Sequence, residues 1–227
     1  GLRAGPAMAN VDSCDITLYG KAGHGAAPHM TIDPIVQAAK LVLDLQTIVS
    51  REINPVDACV ITVGSIHGGQ KHNIISSSCH LQLTIRSYTD EVRQQMLAAI
   101  KRKAKAAAVS VGAKEPKVEF SEGTPALQND EDLTEAVWSG IASVLGAQNV
   151  VEIQPAMVAE DFGRLREHDV PLCMFRLGTI DPDRLKEMRG SASVAVLHSG
   201  KYYPDYQPAI RVGVRSLLAA MRSAAAR

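Results

Sequence analysis

Several polar side chains in this sequence have the types and positions that chemistry on a small molecule requires. His24 lies in the stretch Gly20-Lys21-Ala22-Gly23-His24-Gly25-Ala26-Ala27-Pro28-His29, which contains too many glycines to be ordinary core. A second histidine, His198, follows an apolar run, and the acidic pair Glu160-Asp161 precedes Phe162. Imidazole and carboxylate groups in such positions can move protons, take part in hydrogen bonds or bind metal ions.

Each of these residues also has an ordinary interpretation. Most loop histidines are simply solvated, and His198 could be a metal ligand or, more commonly for a strand end, a hydrogen-bonded rim residue. The pair Glu160-Asp161 could be placed at a helix N-terminus, where the helix dipole favours negative charge. The sequence contains no H-E-x-x-H, G-x-S-x-G or P-loop motif that would decide the chemistry.

The elements on either side of His24 are predicted from their periodicity. Residues 12–19 alternate between apolar and polar types, which indicates a half-buried strand. After the loop, Asp33 is a good N-cap and Pro34 suits the first helical position, so a helix is predicted over 33–50. Its predicted apolar stripe consists of Ile35, Ala38, Ala39, Val42, Leu45 and Val49. His24 is therefore expected between two rigid elements.

Residues 11–123 give the element order βαββαβ. The predicted strands are 12–19, 58–65, 79–86 and 117–120, and the predicted helices are 33–50 and 90–108. This order favours a ferredoxin-like sandwich with four antiparallel strands and both helices on one face. Alternation in the third strand places Arg86 on the open face of that sheet. The glycine-led loop 68–75, which contains Asn73, is explained by a plain hairpin connection.

After Pro125 the pattern changes to helices that alternate with short apolar strands, which indicates part of an α/β layer. A helix from Asn129 or Asp130 to Leu145 should bury Leu133, Val137, Ile141 and Val144 and end at Gly146. Strands are predicted at 150–153, 171–177 and 194–199. A last helix from Pro208 should bury Ile210, Val214, Leu217, Leu218 and Met221.

Composition excludes several classes of function. The chain has 227 residues, of which 46% are hydrophobic, and its 24 basic residues balance its 24 acidic ones, so no nucleic-acid surface is indicated. The basic cluster at 101–105 is typical of a solvated helix face. Four separated cysteines form no C-x-x-C pair and no disulfide framework, which favours a cytoplasmic location. Neither a membrane span nor a signal peptide is predicted.

The opening residues 1–6 read as the middle of a loop and lack an initiator methionine, so the chain is expected to be a fragment. We divide it into a remnant or linker at 1–10, a lid domain at 11–123 and a C-terminal part of a catalytic domain at 124–227. The three short strands of that last part would make a thin sheet.

Five motifs occur in an order that resembles a known family. They are the loop 20–29 with Asp33-Pro34, the Gly68-Gly69 loop ending at Asn73, the strand end Thr84-Ile85-Arg86, the run 157–162 and Leu197-His198-Ser199. This order is similar to that of the metal-dependent amidohydrolases, which include hippurate hydrolase, N-acyl-amino-acid amidohydrolases and auxin-conjugate hydrolases. Aminoacylase and carboxypeptidase G are more distant relatives. The resemblance covers essentially the whole chain and implies an α+β fold with an inserted ferredoxin-like lid.

The resemblance also implies roles for individual residues. His24 resembles a lid histidine that crosses a homodimer interface and donates a hydrogen bond to the scissile carbonyl of the partner's N-acyl amino acid substrate. Asn73 resembles a second polar contact there, and Arg86 resembles the group that pairs with the substrate carboxylate. His198 resembles the last protein ligand of a centre of two divalent ions, zinc, manganese or cobalt.

The sequence departs from the family in two respects. The other metal ligands and the glutamate general base precede, in the family, the point where this chain begins, so the chain alone is expected to hold no metal pair and to be inactive. Relatives usually read Asn-Val-Ile-Pro where this chain reads Asn73-Ile74-Ile75-Ser76. Without that proline the loop should be slightly looser.

Two other classes of function compete with an enzyme fragment. The ferredoxin-like domain could bind a small amino-acid ligand, as regulatory domains of similar topology do, but this leaves His198 and the second half unexplained. It could also be a pure dimerisation domain, which does not explain why Arg86 and His24 should converge from separate loops.

Overall fold

Four strands with alternating side chains form the main sheet of the structure, a computed structural model that describes residues 1–189, 200 and 202–226. The strands in chain order are β1 (Gly5–Met8), β2 (Val11–Tyr19), β3 (Gly23–His24), β4 (Cys59–Gly68), β5 (Ile74–Ile75), β6 (Ser78–Ser87), β7 (Lys117–Thr124) and β8 (Leu127–Asn129). The α-helices are α1 (Pro34–Thr47), α2 (Asp90–Val109), α3 (Glu131–Leu145), α4 (Pro182–Arg189) and α5 (Tyr206–Ala225). The main sheet has the order β4-β6-β2-β7.

The predicted ferredoxin-like sandwich is confirmed. All neighbouring strands of the main sheet are antiparallel, and the two central strands β2 and β6 pair in an unbroken register from Asp12 opposite Ile85 to Tyr19 opposite Ser78. The two edge pairs each contain one irregularity, between Val63 and Ser65 in β4 and between Val11 and Ser13 in β2. The order of the strands and helices is the one predicted from periodicity.

Helices α1 and α2 cover one face of this sheet and enclose its core. Fully buried members of the core include Ile16, Leu18, Leu41, Leu45, Ile48, Leu81, Ile85, Met96 and Ile100. The predicted stripe of α1 was partly wrong, since Ile35 is 41% exposed and Ala39 is also exposed, whereas Gln37 and Leu41 are buried. The helix therefore turns a different edge towards the sheet, because α1 packs beside α2 as well as on the strands.

The N-terminus of α1 is capped as predicted, whereas the C-terminal end of the helix differs from the prediction. The Asp33 carboxylate accepts hydrogen bonds from the backbone nitrogens of Ile35 at 2.9 Å and Val36 at 3.4 Å, so the predicted N-cap is confirmed. At the other end the helix widens into a π-helical turn, Ile48–Glu52, which brings Glu52 towards α2. The α-helix proper is therefore shorter than predicted.

The chain divides into two compact units. The lid unit comprises Met8–Leu127 together with Ala156–Arg164, and the second unit comprises Gly1–Ala7, Gln128–Pro155 and Leu165–Arg227. The nine residues Ala156–Arg164 carry the Met157–Phe162 motif, so this motif is part of the lid unit. Asp161 begins a 3₁₀-helix, Asp161–His168, so the acidic pair lies at the start of a helical segment.

The second unit contains a capped helix whose buried face was partly predicted. The Asp130 carboxylate accepts a hydrogen bond from the nitrogen of Leu133 at 2.8 Å, and Gly146 ends α3 with φ +90°. Val137 and Ile141 are buried as predicted, whereas Val144 is 38% exposed.

The predicted inward face of α5 was wrong. Its large apolar residues are exposed: Ile210 62%, Val214 52%, Leu217 56%, Leu218 49% and Met221 66%. The buried residues are the small Ser216 and Ala219. A Cβ on Gly140 of α3 would lie 2.0 Å from Ser223 Oγ, so α3 and α5 approach too closely for large side chains between them.

Two predicted strands of the second unit are not strands in the structure. Residues 150–153 make a single parallel bridge, Leu2 with Glu152, and residues 171–177 are extended without a ladder. Both runs bond to the three residues 1–3: Leu2 N donates to Val151 O, and Arg176 N donates to Gly1 O. A partner this short supports too few bonds for a ladder. The strand predicted at 194–199 lies outside the described residues.

The structure gives the state of the four cysteine thiols. Cys14, Cys59, Cys79 and Cys173 are all free thiols, and burial together with Asp15 raises the pKa of Cys14 to about 12. This thiol is therefore protonated and behaves as a small hydrophobe.

Within the described ranges, no helix has the length and apolar character that crossing a membrane requires.

Lys103 of α2 joins both helices of the lid unit through a buried charge. Its side chain is 9% exposed, and its Nζ lies 2.8 Å from Asp44 Oδ1 of α1 and 3.3 Å from Glu52 Oε1. Burial by itself would lower the pKa of Lys103, but the hydrogen bonds to the two carboxylates outweigh it and raise the pKa above its ordinary 10.5. Charged Lys103 therefore stabilises the packing of α1 against α2.

We predict that Lys103→Met destabilises the chain by about 1–3 kcal/mol at pH 7, because two carboxylates lose a buried partner. Since the pKa is raised in the folded state, the contribution of Lys103 is complete below pH 10.5 and is lost as the pH rises through the folded pKa. Urea unfolding of both proteins at pH 7 and pH 11.5 measures this. A difference that grows at the higher pH would contradict the assignment.

Candidate functional site

His24 and Asn73 lie on two loops that pair with each other. Strand β3 pairs with β5 so that Gly23 is opposite Ile75 and His24 is opposite Ile74. The nitrogen of Gly25 donates to the carbonyl oxygen of Asn73 at 2.8 Å. The loop containing His24 and the loop after Gly68-Gly69 thus form one two-stranded ribbon, and both polar side chains are exposed.

The base of the His24 loop is closed by backbone contacts. Lys21 and Ile32 form a mutual antiparallel bridge, with N to O distances of 2.9 and 3.1 Å, and Gly20 N donates to Ser77 O at 2.8 Å. A Cβ on Gly20 would lie 2.3 Å from Ile32 O and 2.6 Å from Pro34 Cδ. Only glycine permits this approach, so the loop is rigidly tied at its base while its tip stays in solvent.

One hydrogen bond determines the tautomer of His24. The backbone nitrogen of Ala26 donates to Nδ1 of His24 at 3.0 Å. A ring nitrogen that accepts a hydrogen bond carries no proton, so the neutral ring holds its proton on Nε2. His24 therefore presents a single N–H donor to solvent, the form that a carbonyl oxygen can accept from.

Arg86 occupies the open face of the main sheet near the end of β6. Its neighbours on this face are Thr84 and Gln82, and Gln82 donates to Asp15 at 3.1 Å. Arg86 is half-buried, and its Nη1 donates to the carbonyl oxygen of Met157 at 2.9 Å. No other hydrogen bond joins the Arg86 guanidinium to the residues that the structure describes, so its edge formed by Nε and Nη2 is open to a second partner.

His24 and Arg86 do not converge within one chain. The ribbon containing His24 and Asn73 adjoins the Ser78 end of β6, whereas Arg86 lies at the opposite end of the same strand. Arg86 lies eight residue steps along the extended strand from Ser78, a distance of roughly 26 Å at the usual rise of a strand. A single small molecule cannot touch both residues of one chain.

The acidic pair and His198 add no metal site to the described residues. Glu160 Oε1 accepts from the backbone nitrogen of Asp161 at 3.0 Å, as at the start of a helix. Among the residues that the structure describes, no group of three or more His, Cys, Asp or Glu side chains could hold a metal ion. His198 lies outside these residues. The donor groups of the described residues do not by themselves fit a two-metal centre.

A buried polar cluster that periodicity did not predict lies beside Arg86. Asn10, Asp12 and Ser87 are 1%, 2% and 0% exposed, and Arg93 of α2 donates to both carboxylate oxygens of Asp12 at 2.7 and 2.6 Å. The sequence did contain a signal, because Asp12 has the same phase in β2 as the buried Cys14, Ile16 and Leu18. An acidic residue on the buried side of a strand requires a partner.

Comparison with known proteins identifies the family. Residues 7–111 match the M20 peptidase dimerisation domain. N-acetyl-L-cysteine deacetylase of Bacillus subtilis is 36% identical over 171 residues, which cover 74% of this chain and 40% of that protein. An N-acetyldiaminopimelate deacetylase of Bacillus pumilus is 35% identical over 217 residues, which cover 96% and 54%. The structure of the Bacillus subtilis YXEP protein, described as a dinuclear metal binding peptidase from the M20 family, superposes with a TM-score of 0.69 at 21% identity and covers 99% and 52%.

The lid unit, which contains the four-stranded sandwich, is thus a peptidase dimerisation domain. The chain belongs to the M20 peptidase family, and the resemblance drawn from its five motifs is confirmed. It spans about half the length of the curated relatives it matches, 40% of one and 54% of the other.

The geometry predicts that the ribbon is held by its backbone and not by its polar side chains. His24→Ala and Asn73→Ala should each change the free energy of unfolding by less than about 0.5 kcal/mol, because both side chains are exposed. Gly20→Ala should cost about 1–3 kcal/mol, because its Cβ would overlap backbone. Urea unfolding of the three variants tests this. A large loss in His24→Ala would show that the imidazole is structural.

Proposed function

We propose that this protein is part of a metal-dependent amidohydrolase that cleaves the amide bond of N-acyl amino acids. The observation that carries the proposal is the 35–36% identity to two proteins named as deacetylases of N-acetylated amino acids, over 74–96% of the chain. Such a substrate has two features to recognise, a carbonyl that becomes negatively charged during hydrolysis and a free carboxylate.

Arg86 is the proposed partner of the substrate carboxylate. A guanidinium can hold a carboxylate through two parallel hydrogen bonds, and the free edge of Arg86 has the required Nε and Nη2 donors. Its half-buried position would strengthen the pairing relative to one in open water. A lysine could supply the charge at this position but not the planar pair of donors.

His24 is the proposed donor to the scissile carbonyl oxygen. Charge accumulates on that oxygen as the tetrahedral intermediate forms, so a donor placed there stabilises the transition state. The bond from Ala26 to Nδ1 leaves Nε2 as the ring nitrogen that can donate to the substrate. Asn73, on the paired loop, is proposed as a second polar contact with the same end of the substrate.

The separation of His24 from Arg86 supports a homodimer in which each site combines residues of two chains. Edge strand β7 carries Lys117 and Glu119, which discourage pairing with another strand. Edge strand β4 contains no lysine, arginine or acidic residue, and α1 exposes Ile35, Val36 and Leu43. We propose that the second copy pairs along β4 and α1, which places His24 of one protomer at the substrate held by its partner.

Several finer assignments remain predictions within this proposal. These are the acceptance of hippurate-like substrates or similar conjugates beside N-acetyl amino acids, the use of zinc, manganese or cobalt, a cytoplasmic location and the inactivity of the 227-residue chain alone. The described residues by themselves do not fit a two-metal centre, so the roles proposed here are those of His24, Asn73 and Arg86 in binding and orienting the substrate.

Substitution of Arg86 tests the carboxylate assignment. In a form of the protein that hydrolyses N-acetyl amino acids, Arg86→Ala should lower kcat/KM by about thirty- to a thousand-fold, corresponding to roughly 2–4 kcal/mol for a lost charged pair. The same variant should leave hydrolysis of the matching carboxamide nearly unchanged. His24→Ala is the control, since it should slow both substrates equally. Equal losses for Arg86→Ala would make Arg86 structural and remove the carboxylate assignment.

Mixing two inactive variants tests the shared site. In a dimer of one His24→Ala chain and one Arg86→Ala chain, one site has both residues and the other has neither. Random pairing should therefore restore about a quarter of wild-type activity, because half of the dimers are mixed and half of their sites are complete. Each variant incubated alone is the control. No recovery after confirmed subunit exchange would overturn the shared site.

A further inference from the structure

Arg86 is oriented by a carbonyl oxygen whose own position is held from β1 and the chain after it. Ala9 N donates to the oxygens of Ala156 and Val158, at 3.1 Å in both cases, and Met157 lies between these two residues. Met8 also forms a parallel bridge with Ala156. The Met157 carbonyl that accepts from Arg86 therefore belongs to a segment that Ala9 holds on both sides.

The next residue, Asn10, holds the other partner of this hydrogen bond. Its Oδ1 accepts from the backbone nitrogen of Ser87 at 2.9 Å and from Ser87 Oγ at 2.6 Å. Its backbone nitrogen donates to Ser87 O at 2.8 Å. Ser87 directly follows Arg86, so these hydrogen bonds with Asn10 hold the backbone next to the arginine. Consecutive residues Ala9 and Asn10 thus hold the two ends of the contact between Arg86 and Met157.

The orientation of the Asn10 amide is itself determined. Its Nδ2 donates to Asp12 Oδ2 at 3.0 Å, which requires that Oδ1 point towards Ser87. Asp12 is in turn held by the two hydrogen bonds from Arg93 of α2. Asn10, Asp12 and Ser87 are buried and Arg93 is half-buried, and their hydrogen bonds leave the Asn10 amide one arrangement.

Stability alone does not explain this cluster. Desolvating a carboxylate, an amide and a hydroxyl is costly, and well-packed apolar residues of similar size are often as stable. Buried hydrogen-bonded groups do, however, fix geometry, because a misplaced group would be left unpaired. The cluster is built around the residue that follows Arg86, where a fixed direction of the guanidinium would matter for a planar ligand.

We propose that Asn10 is a positioning residue that fixes Arg86 for side-on binding of a carboxylate, with Asp12 and Arg93 setting the orientation of its amide. Nη1 of Arg86 donates to the Met157 carbonyl, so the edge formed by Nε and Nη2 faces the ligand. The carboxylate role rests on the proposed function above, whereas the positioning of the side chain does not.

The first test measures Arg86 in the 227-residue chain without any substrate. In ¹⁵N-labelled protein the Nε–H signal of Arg86, assigned by its loss in Arg86→Lys, should report a rigid side chain in heteronuclear NOE measurements. Asn10→Leu should make this signal as mobile as that of an exposed arginine. Lys103→Met is the matched control, because it breaks another buried ionic contact of the lid unit, through α1 and not through Asn10, and should leave the Arg86 signal rigid.

The second test measures the reaction in a form of the protein that hydrolyses N-acetyl amino acids. Asn10→Leu should raise KM for an N-acetyl amino acid by about tenfold, the effect of losing roughly one oriented hydrogen bond, with kcat little changed because the carboxylate does not react. KM for the corresponding carboxamide should not change. Ser87→Ala, which removes one hydroxyl and keeps the backbone contact, should act in the same direction by a smaller factor and serves if Asn10→Leu does not fold.

The outcomes distinguish the positioning role of Asn10 from the carboxylate-binding role of Arg86. A rigid Arg86 signal in folded Asn10→Leu or Ser87→Ala, or equal changes in KM for both substrates, would overturn the positioning role. If Arg86→Ala itself fails to discriminate the carboxylate from the carboxamide, the proposed function fails, while loss of the rigid signal in Asn10→Leu would still establish that Asn10 positions Arg86.

Discussion

The pairing of β2 with β6 is the interaction on which the rest of the lid unit depends. Their register, from Asp12 opposite Ile85 to Tyr19 opposite Ser78, sends one set of side chains into the core beneath α1 and α2 and the other set to the open face. Because side chains alternate along a strand, a slip of one residue would exchange the two faces and bury Arg86 among apolar groups. The same register determines which loop emerges at each end of the sheet.

The two ends of the sheet hold their functional candidates by different means. At one end, glycines allow loop backbones to approach closely, and hydrogen bonds such as that from Gly25 to Asn73 hold the loops while the side chains remain in solvent. At the other end, buried side chains hold the strand end and leave Arg86 half-buried. Under the proposed function, a donor that reaches another chain needs exposure, whereas a cation that meets a carboxylate in one orientation benefits from a rigid and partly desolvated setting.

The ion pairs made by Lys103 and by Arg93 differ in how far their carboxylates are removed from water. The contact of Lys103 with Asp44 and Glu52 links one helix to another, and its carboxylates remain partly exposed. The contact of Arg93 with Asp12 links a helix to a central strand, and the carboxylate is almost entirely removed from water. An ion pair with exposed carboxylates tolerates small movements, since water can replace a weakened bond, but the Asp12 carboxylate has no such substitute. This makes Asp12 a stricter constraint on geometry.

The sequence alone determined the element order of residues 11–123, the N-cap of α1, the face of the sheet on which Arg86 lies and the family, because these depend on local periodicity, capping chemistry and ordered motifs. It narrowed the N-cap of α3 to Asn129 or Asp130. It did not determine which edge of α1 is buried or that α5 packs through Ser216 and Ala219, since neighbouring helices select the face that fits. Nor did it place Met157 beside Arg86 or show that His24 and Arg86 lie at opposite ends of β6. Those facts follow from pairing between residues distant in the chain, and only the tertiary structure brings such residues together.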